Sequence, residues 1–138
     1  MALTNKVALD TNMLLAIKKL KIDIFEEIKE SIGKAEFLIP VQVIKEMQKL
    51  SEKNKNMEKA SNIALQLIKK NKAKEIQSKE KDADKALIEL AKKGIIIATN
   101  DKELKKKVLK VKGKILNIRK RKKIEWRLSW GEKNVFNV

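Results

Sequence analysis

Neither Cys nor His occurs among the 138 residues of this chain. Without Cys there is no disulfide and no thiolate chemistry. Without His there is no imidazole ligand, no imidazole base and no Ser-His-Asp triad. Any catalysis must run on carboxylates, Lys, hydroxyls or a metal held by oxygen. Proline is nearly absent too, Pro40 being the only one. No segment is apolar enough to span a bilayer. The first residues lack the basic, apolar and small-residue regions of a signal peptide. The expectation is a cytoplasmic protein with no membrane partner.

Acidic residues are present but outnumbered. Lys and Arg number 34 against 18 Asp and Glu, a net charge of +16. That excess attracts a polyanion, of which nucleic acid is the commonest. The charge is unevenly spread: Lys102 to Val138 holds 14 Lys/Arg and 3 Asp/Glu. Apolar residues make up 43% of the chain, enough for one domain with a real core. Richness in Lys, Glu and Ile without Cys or His is compatible with a thermophile.

Apolar spacing organises the rest. Residues 6–9 form a first strand, and Met13, Leu14, Ile17 and Leu20 fall on one helix face. Ile22, Phe25, Ile28 and Ile32 mark a second helix that Gly33 ends. Phe37-Leu38-Ile39 is a brief strand, and Pro40 sits where it hands over to a helix marked by Val43, Met47 and Leu50. After a polar connector, Ser51 to Asn56, the stripe Met57, Ala60, Ala64, Leu67 and Ile68 gives another helix. Lys74 to Gln77 reads as a short edge strand. Asp82 or Ser78 caps a helix with Ala83, Ala86, Leu87, Leu90 and Ala91 on its inner face, ended by Gly94. Ile95 to Ala98 is an unbroken apolar run, as in a strand buried on both faces. Leu104, Val108 and Val111 mark a last helix, and Lys114 to Ile118 a last strand. Strands alternate with helices and no tight-hairpin signal such as Asn-Gly appears. The expected fold is a three-layer α/β/α arrangement with a central parallel sheet. Residues 1–118 form the domain; 119–138 form a basic, Trp-containing extension.

The chemistry lies at strand ends. Val7-Ala8-Leu9 runs into Asp10-Thr11-Asn12, and Ile95-Ile96-Ile97-Ala98 runs into Thr99-Asn100-Asp101. Ligands of parallel sheets bind outside the carboxyl ends of strands, near the point where strand order reverses. If these two strands are neighbours, Asp10 and Asp101 approach each other, and like charges that close need a cation or a proton. Glu46 shares the inner face of Val43 and Leu50, and Asp84 lies on the stripe of Leu87. Simpler readings stand beside these. Asp10, Asp82 and Asp101 suit helix N-caps. Glu46 can pair with Lys45 or Lys49, and Asp84 suits the positive end of a helix dipole. Thr11, Asn12, Thr99 and Asn100 are ordinary turn residues. The joint pattern of four acids without a neutralising His favours a divalent, oxygen-loving ion.

These motifs, in this order, resemble the PIN-domain ribonuclease family. The resemblance rests on Asp10-Thr11-Asn12 after a strand, Ile39-Pro40-Val41 through Glu46, Ala83-Asp84 before Leu87, and Thr99-Asn100-Asp101 before Leu104. It covers about residues 5–118. Within the family the chain looks most like the nucleases that process small-subunit ribosomal RNA and their archaeal relatives. Where that group often has a second Asp, this chain has Lys85, with Asp82 the nearest substitute. The resemblance implies a metal-dependent endoribonuclease whose Asp10, Glu46, Asp84 and Asp101 hold Mg²⁺ or Mn²⁺ for hydrolysis of a phosphodiester. It implies that Thr11, Asn12, Thr99 and Asn100 orient ligands or waters around them.

The basic third then has a task, because an acidic site repels phosphate. Lys102, Lys105, Lys106, Lys107, Lys110 and the run Arg119, Lys120, Arg121, Lys122, Lys123 can draw in RNA, a ribosomal RNA precursor on this reading. Trp126 and Trp130, four apart, would share a helix face. They would either stack on bases or, as large aromatics more often do, pack on the domain or on a partner in a homodimer. Three rivals remain. A toxin-type, VapC-like nuclease shares the acid set. A non-catalytic RNA-binding scaffold would keep only the fold. A haloacid-dehalogenase-like phosphatase would want an acid where Asn12 stands.

Overall fold

The sheet is centred on two strands whose residues are buried whichever way they point. Val7, Ala8 and Leu9 are shut off from solvent, as are Ile96, Ile97 and Ala98. Strands covered on both faces have no use for alternating polarity, which is why both read as unbroken apolar runs. The computed structural model describes residues 4–119, 125–129 and 135–137.

In chain order, β1 (Asn5–Leu9) leads to α1 (Thr11–Leu20) and α2 (Ile24–Ile32). β2 (Ala35–Pro40) leads to α3 (Val41–Ser51) and α4 (Lys55–Lys70). β3 (Lys74–Ile76), α5 (Ala83–Lys92), β4 (Ile96–Ala98), α6 (Lys102–Lys110) and β5 (Ile115–Arg119) follow, then β6 (Glu125–Ser129) and β7 (Val135–Asn137). The strand order is β3-β2-β1-β4-β5-β6-β7. The first five strands of that order run parallel. The chain steps outward from β1 to β3 on one side, then crosses back to β4 on the other. Order therefore reverses between β1 and β4. With right-handed crossovers, that reversal sends α5 and α6 to the face opposite the helices that follow β1 and β2, with α3 also packing against α5. The expected α/β/α layering around a parallel sheet is what the chain adopts.

Local chemistry sets the helix boundaries. Asp10, Asp23, Asn54, Asp82 and Asp101 each accept a backbone N–H of the first turn that follows. Of the two cap candidates before α5, Asp82 takes the role through the Lys85 N–H at 2.9 Å. Ser78 instead turns the preceding loop by accepting the Glu80 N–H. Gln42 of α3 holds that loop, its Nε2 donating to the carbonyls of Ser78 and Glu80 at 3.1 and 2.8 Å. The core continues through Phe25 and Phe37, whose rings meet edge to face at 4.8 Å.

The carboxy-terminal end differs from expectation. Ile115–Arg119 is not the last strand: β6 pairs antiparallel with β5, and β7 with β6. Trp126 lies in β6, so the helical spacing that paired it with Trp130 does not apply. A signal for the strand was available, because Glu125-Trp126-Arg127-Leu128-Ser129 alternates polar and apolar. The side chain of Trp126, and Lys120 to Lys123 and Trp130 altogether, lie outside the described residues.

Candidate active site

Register builds the site. Leu9 of β1 stands opposite Ala98 of β4, so the residues that follow, Asp10 and Thr99, become neighbours at the carboxyl edge. The Asp10 N–H donates to the Ala98 carbonyl at 3.2 Å. The Thr99 hydroxyl donates to Oδ2 of Asp10. The same hydroxyl oxygen accepts the Asp101 N–H at 3.0 Å.

Asp10 is 6% exposed. Its Oδ1 caps α1 by accepting the Met13 N–H at 2.7 Å. Burial pushes its pKa from 3.8 up to about 6, against the hydrogen bonds from Thr99 and Met13 and with added repulsion from Asp101 and Asp84. Asp101 caps α6 in the same manner, its Oδ1 accepting the Glu103 and Leu104 N–H groups at 2.8 and 3.1 Å. Cap and site are therefore not alternatives for either residue. One oxygen holds the helix start, and the second is not used in the cap.

Asp84, in the first turn of α5, has its carboxyl raised by burial and then by Asp101, Asp82 and Glu46, while Lys107 pulls it back down. Glu46 is a partial correction. It is exposed, one position off the buried pair Val43 and Met47, and so stands on the flank of their seam. From there it still reaches the acids. Asp10, Glu46, Asp84 and Asp101 line one cavity of about 250 Å³, together with Thr11, Asn12, Ala83 and Leu87. Four acids from three helix starts and one helix flank are brought to the point where strand order reverses.

Thr99 is fully buried beneath them. Asn100 is exposed and is not among the cavity's lining residues. On α6, Lys107 lines an adjoining cavity, and Lys106 lies 3.9 Å from Glu103 in an exposed pair. Sequence reasoning missed Gln42 as the clamp on the loop before α5, and the closeness of Lys107 to Asp84. Neither has a local signal, because Gln42 is 36 and 38 residues from the carbonyls it holds, and Lys107 comes near Asp84 only through the packing of α5 against α6.

The residues fit a hard divalent cation. All donors are oxygens, and none of the four acids has an ion-pair partner within 4.0 Å among the described residues. Their mutual repulsion, felt in the pKa values of Asp10 and Asp84, is what a cation relieves. Thr11 is 3% exposed and its hydroxyl oxygen lacks a hydrogen-bond partner among the described residues, an expense a native fold rarely carries without reason. Among the described residues the acids do not already close into an ion cage of three or more side chains. The site has the composition for a metal rather than a finished coordination sphere.

A parallel sheet that gathers carboxylates at its reversal point defines a class. Residues 7–121 match the PIN-like domain family, and the chain belongs to it. It is 39% identical over 108 residues to Ribonuclease VapC9 of Archaeoglobus fulgidus, an overlap covering 75% of this chain and 77% of that one. It is 35% identical over 126 residues to Ribonuclease VapC4 of Methanocaldococcus jannaschii, covering 87% and 95% of the two. Among solved structures it is similar to the PIN domain endonuclease Utp24, with a TM-score of 0.72 and 27% identity over 96% of this chain and 95% of that one. No helix among the described residues is long and apolar enough to cross a membrane.

Proposed function

We propose that this chain is a metal-dependent endoribonuclease that hydrolyses RNA phosphodiester bonds, and that its substrate is a ribosomal RNA precursor. The observation that carries the reading is the convergence of Asp10, Glu46, Asp84 and Asp101 on one cleft. Those four residues would hold one or two Mg²⁺ or Mn²⁺ ions. When bound, such an ion supplies an activated water and charge stabilisation at the scissile phosphate. The chain's own residues do the rest. Asp10 is held by Thr99 and by the α1 cap, so its free electron pairs have a fixed direction. Asp101 is tied to the same hydroxyl through its N–H. Thr11, Asn12 and Asn100 would orient ligands and water around them. The excess of positive charge, +16 overall, brings the polyanion to an otherwise repulsive cleft. Lys102, Lys105, Lys106, Lys107 and Lys110 would contact phosphates, with residues 119–138 as a basic extension of the 1–118 nuclease domain. RNA affinity should then fall steeply with added salt.

A toxin-type nuclease is the second reading, supported by the two curated relatives, both named ribonucleases of the VapC type. One set of experiments separates the readings. The purified chain is incubated with precursor ribosomal RNA and with unrelated RNA, with and without Mn²⁺, beside Asp10→Asn. Metal-dependent cleavage lost in the variant supports the nuclease, and Asp10→Asn that cleaves normally sinks it. Growth arrest on expression, relieved by a co-expressed partner, would favour the toxin. Absence of any Mn²⁺ binding at the acids would leave a scaffold.

A further inference from the structure

Beside the acid cleft lies a second cavity of about 260 Å³. The two share Glu46, Ala83 and Asp84, so they are adjoining chambers of one groove. The second chamber differs in charge. Its other walls carry Lys85 and Lys107, with Asp82 and Ile88. Lys85 comes from α5 and Lys107 from α6, so two separate helices bring a lysine to the same space.

Both lysines are exposed. Neither makes an ion pair within 4.0 Å among the described residues, although Lys107 is near enough to Asp84 to lower its pKa. Asp82, the acid that belongs to this chamber alone, already accepts the Lys85 N–H with one oxygen. Glu46 and Asp84 belong to both chambers, and a cation held in the first would neutralise them. What remains in the second is two lysines beside one capped carboxylate. That balance suits an oxyanion.

The position of the chamber names the oxyanion. A polynucleotide that sets one phosphate against the carboxylates carries its next phosphate one nucleotide away, and the second chamber shares a wall with the first. We propose that Lys107, assisted by Lys85, binds the phosphate that flanks the scissile one. The groove then recognises a pair of consecutive phosphates rather than one. This rests on the ribonuclease reading and adds a subsite to it.

The test uses the full chain with Mn²⁺ and dinucleotides whose two bridging ester oxygens are replaced by methylene groups, leaving no P–O ester bond to hydrolyse, titrated by calorimetry. The dinucleotides carry no terminal phosphate, a 5′ phosphate or a 3′ phosphate. One of the two terminal phosphates is expected to tighten binding about tenfold, the scale of a charge-assisted hydrogen bond. Lys107→Gln should remove most of that gain, and Lys107→Arg should keep most of it. Lys92→Gln, which deletes the same charge from an exposed site lining neither chamber, should leave the gain in place. No gain from either terminal phosphate, or a gain that survives in Lys107→Gln, overturns the subsite. Failure of the wild-type chain to cleave any longer RNA overturns the nuclease reading, and is read separately from the calorimetry.

Discussion

One hydroxyl group couples the two strand-end acids: Thr99 donates to Asp10 and accepts from the backbone of Asp101. The coupling exists because β1 and β4 pair with Leu9 opposite Ala98. A slip of one residue in that register would turn Asp10 or Thr99 to the wrong face. The geometry of the cleft is thus fixed by sheet pairing, and the hydroxyl transmits it to both carboxylates.

Replacing Thr99 by Val keeps the shape and removes the bridge. The Asp10 Oδ2 and the Asp101 N–H then lose a buried partner. The variant should unfold with a loss of about 1–3 kcal/mol in urea at neutral pH. Metal-dependent RNA cleavage should fall with it, and Thr99→Ser should restore both. Unchanged stability and cleavage in Thr99→Val would show that the bridge is only incidental.

Asp10 makes stability depend on pH in a direction opposite to most carboxylates. The native state holds its proton more tightly than the unfolded chain does, because the pKa rises from 3.8 to about 6 on folding. Its favourable contribution is therefore complete below pH 3.8 and is lost as pH climbs through about 6. Without divalent ions, Asp10→Asn should melt at higher temperature than wild type at pH 7.5. The difference should be on the order of 2–3 kcal/mol and should shrink toward pH 4. Added Mn²⁺ should stabilise the wild type more than the variant. A variant less stable than wild type at pH 7.5 in the absence of divalent ions contradicts this account.

Thr11 offers a case in which function and stability part. Its hydroxyl is buried without a partner among the described residues, so Thr11→Val should gain roughly 1 kcal/mol in metal-free denaturation. The same change should slow metal-dependent cleavage, because the methyl group cannot orient water or a ligand. A loss of stability with full cleavage would reverse both halves of the argument.

Among the described residues, three lysines adopt the left-handed conformation where a helix ends: Lys21, Lys72 and Lys112, at φ 56°, 54° and 61°. Side chains pay a steric penalty there that glycine avoids. Lys21→Gly and Lys72→Gly, both at exposed positions away from the cleft, should each raise stability by about 0.5–1 kcal/mol in thermal denaturation. A neutral or destabilising result would mean that chain entropy outweighs the relieved strain.

Much of this molecule is legible in its residues alone. The run at Val7 reads as a buried strand and the unbroken run from Ile95 to Ala98 as one covered on both faces, because a strand buried twice has no polar positions. Caps such as Asp23, Asn54 and Asp82 act within one turn of backbone, so helix starts are local information. Gly94 marks a helix end for the same reason. The alternation from Glu125 to Ser129 is local too, yet the four-residue spacing of Trp126 and Trp130 competed with it. A period of 2 in so short a segment is easily outvoted by two large residues.

The sequence by itself therefore determined that Asp10 and Asp101 end apolar strands, that no imidazole or thiolate could share their work, and that the surplus charge was positive. It could not decide how far apart those acids lie. That depended on strand order, which joins residues 89 positions apart through Thr99 and Asp10. Nor could it seat Glu46 on the rim, or bring Lys107 of α6 beside Asp84 of α5. Local patterns record what each residue does to its own backbone. Only the packing of distant elements decides which charges must share one space.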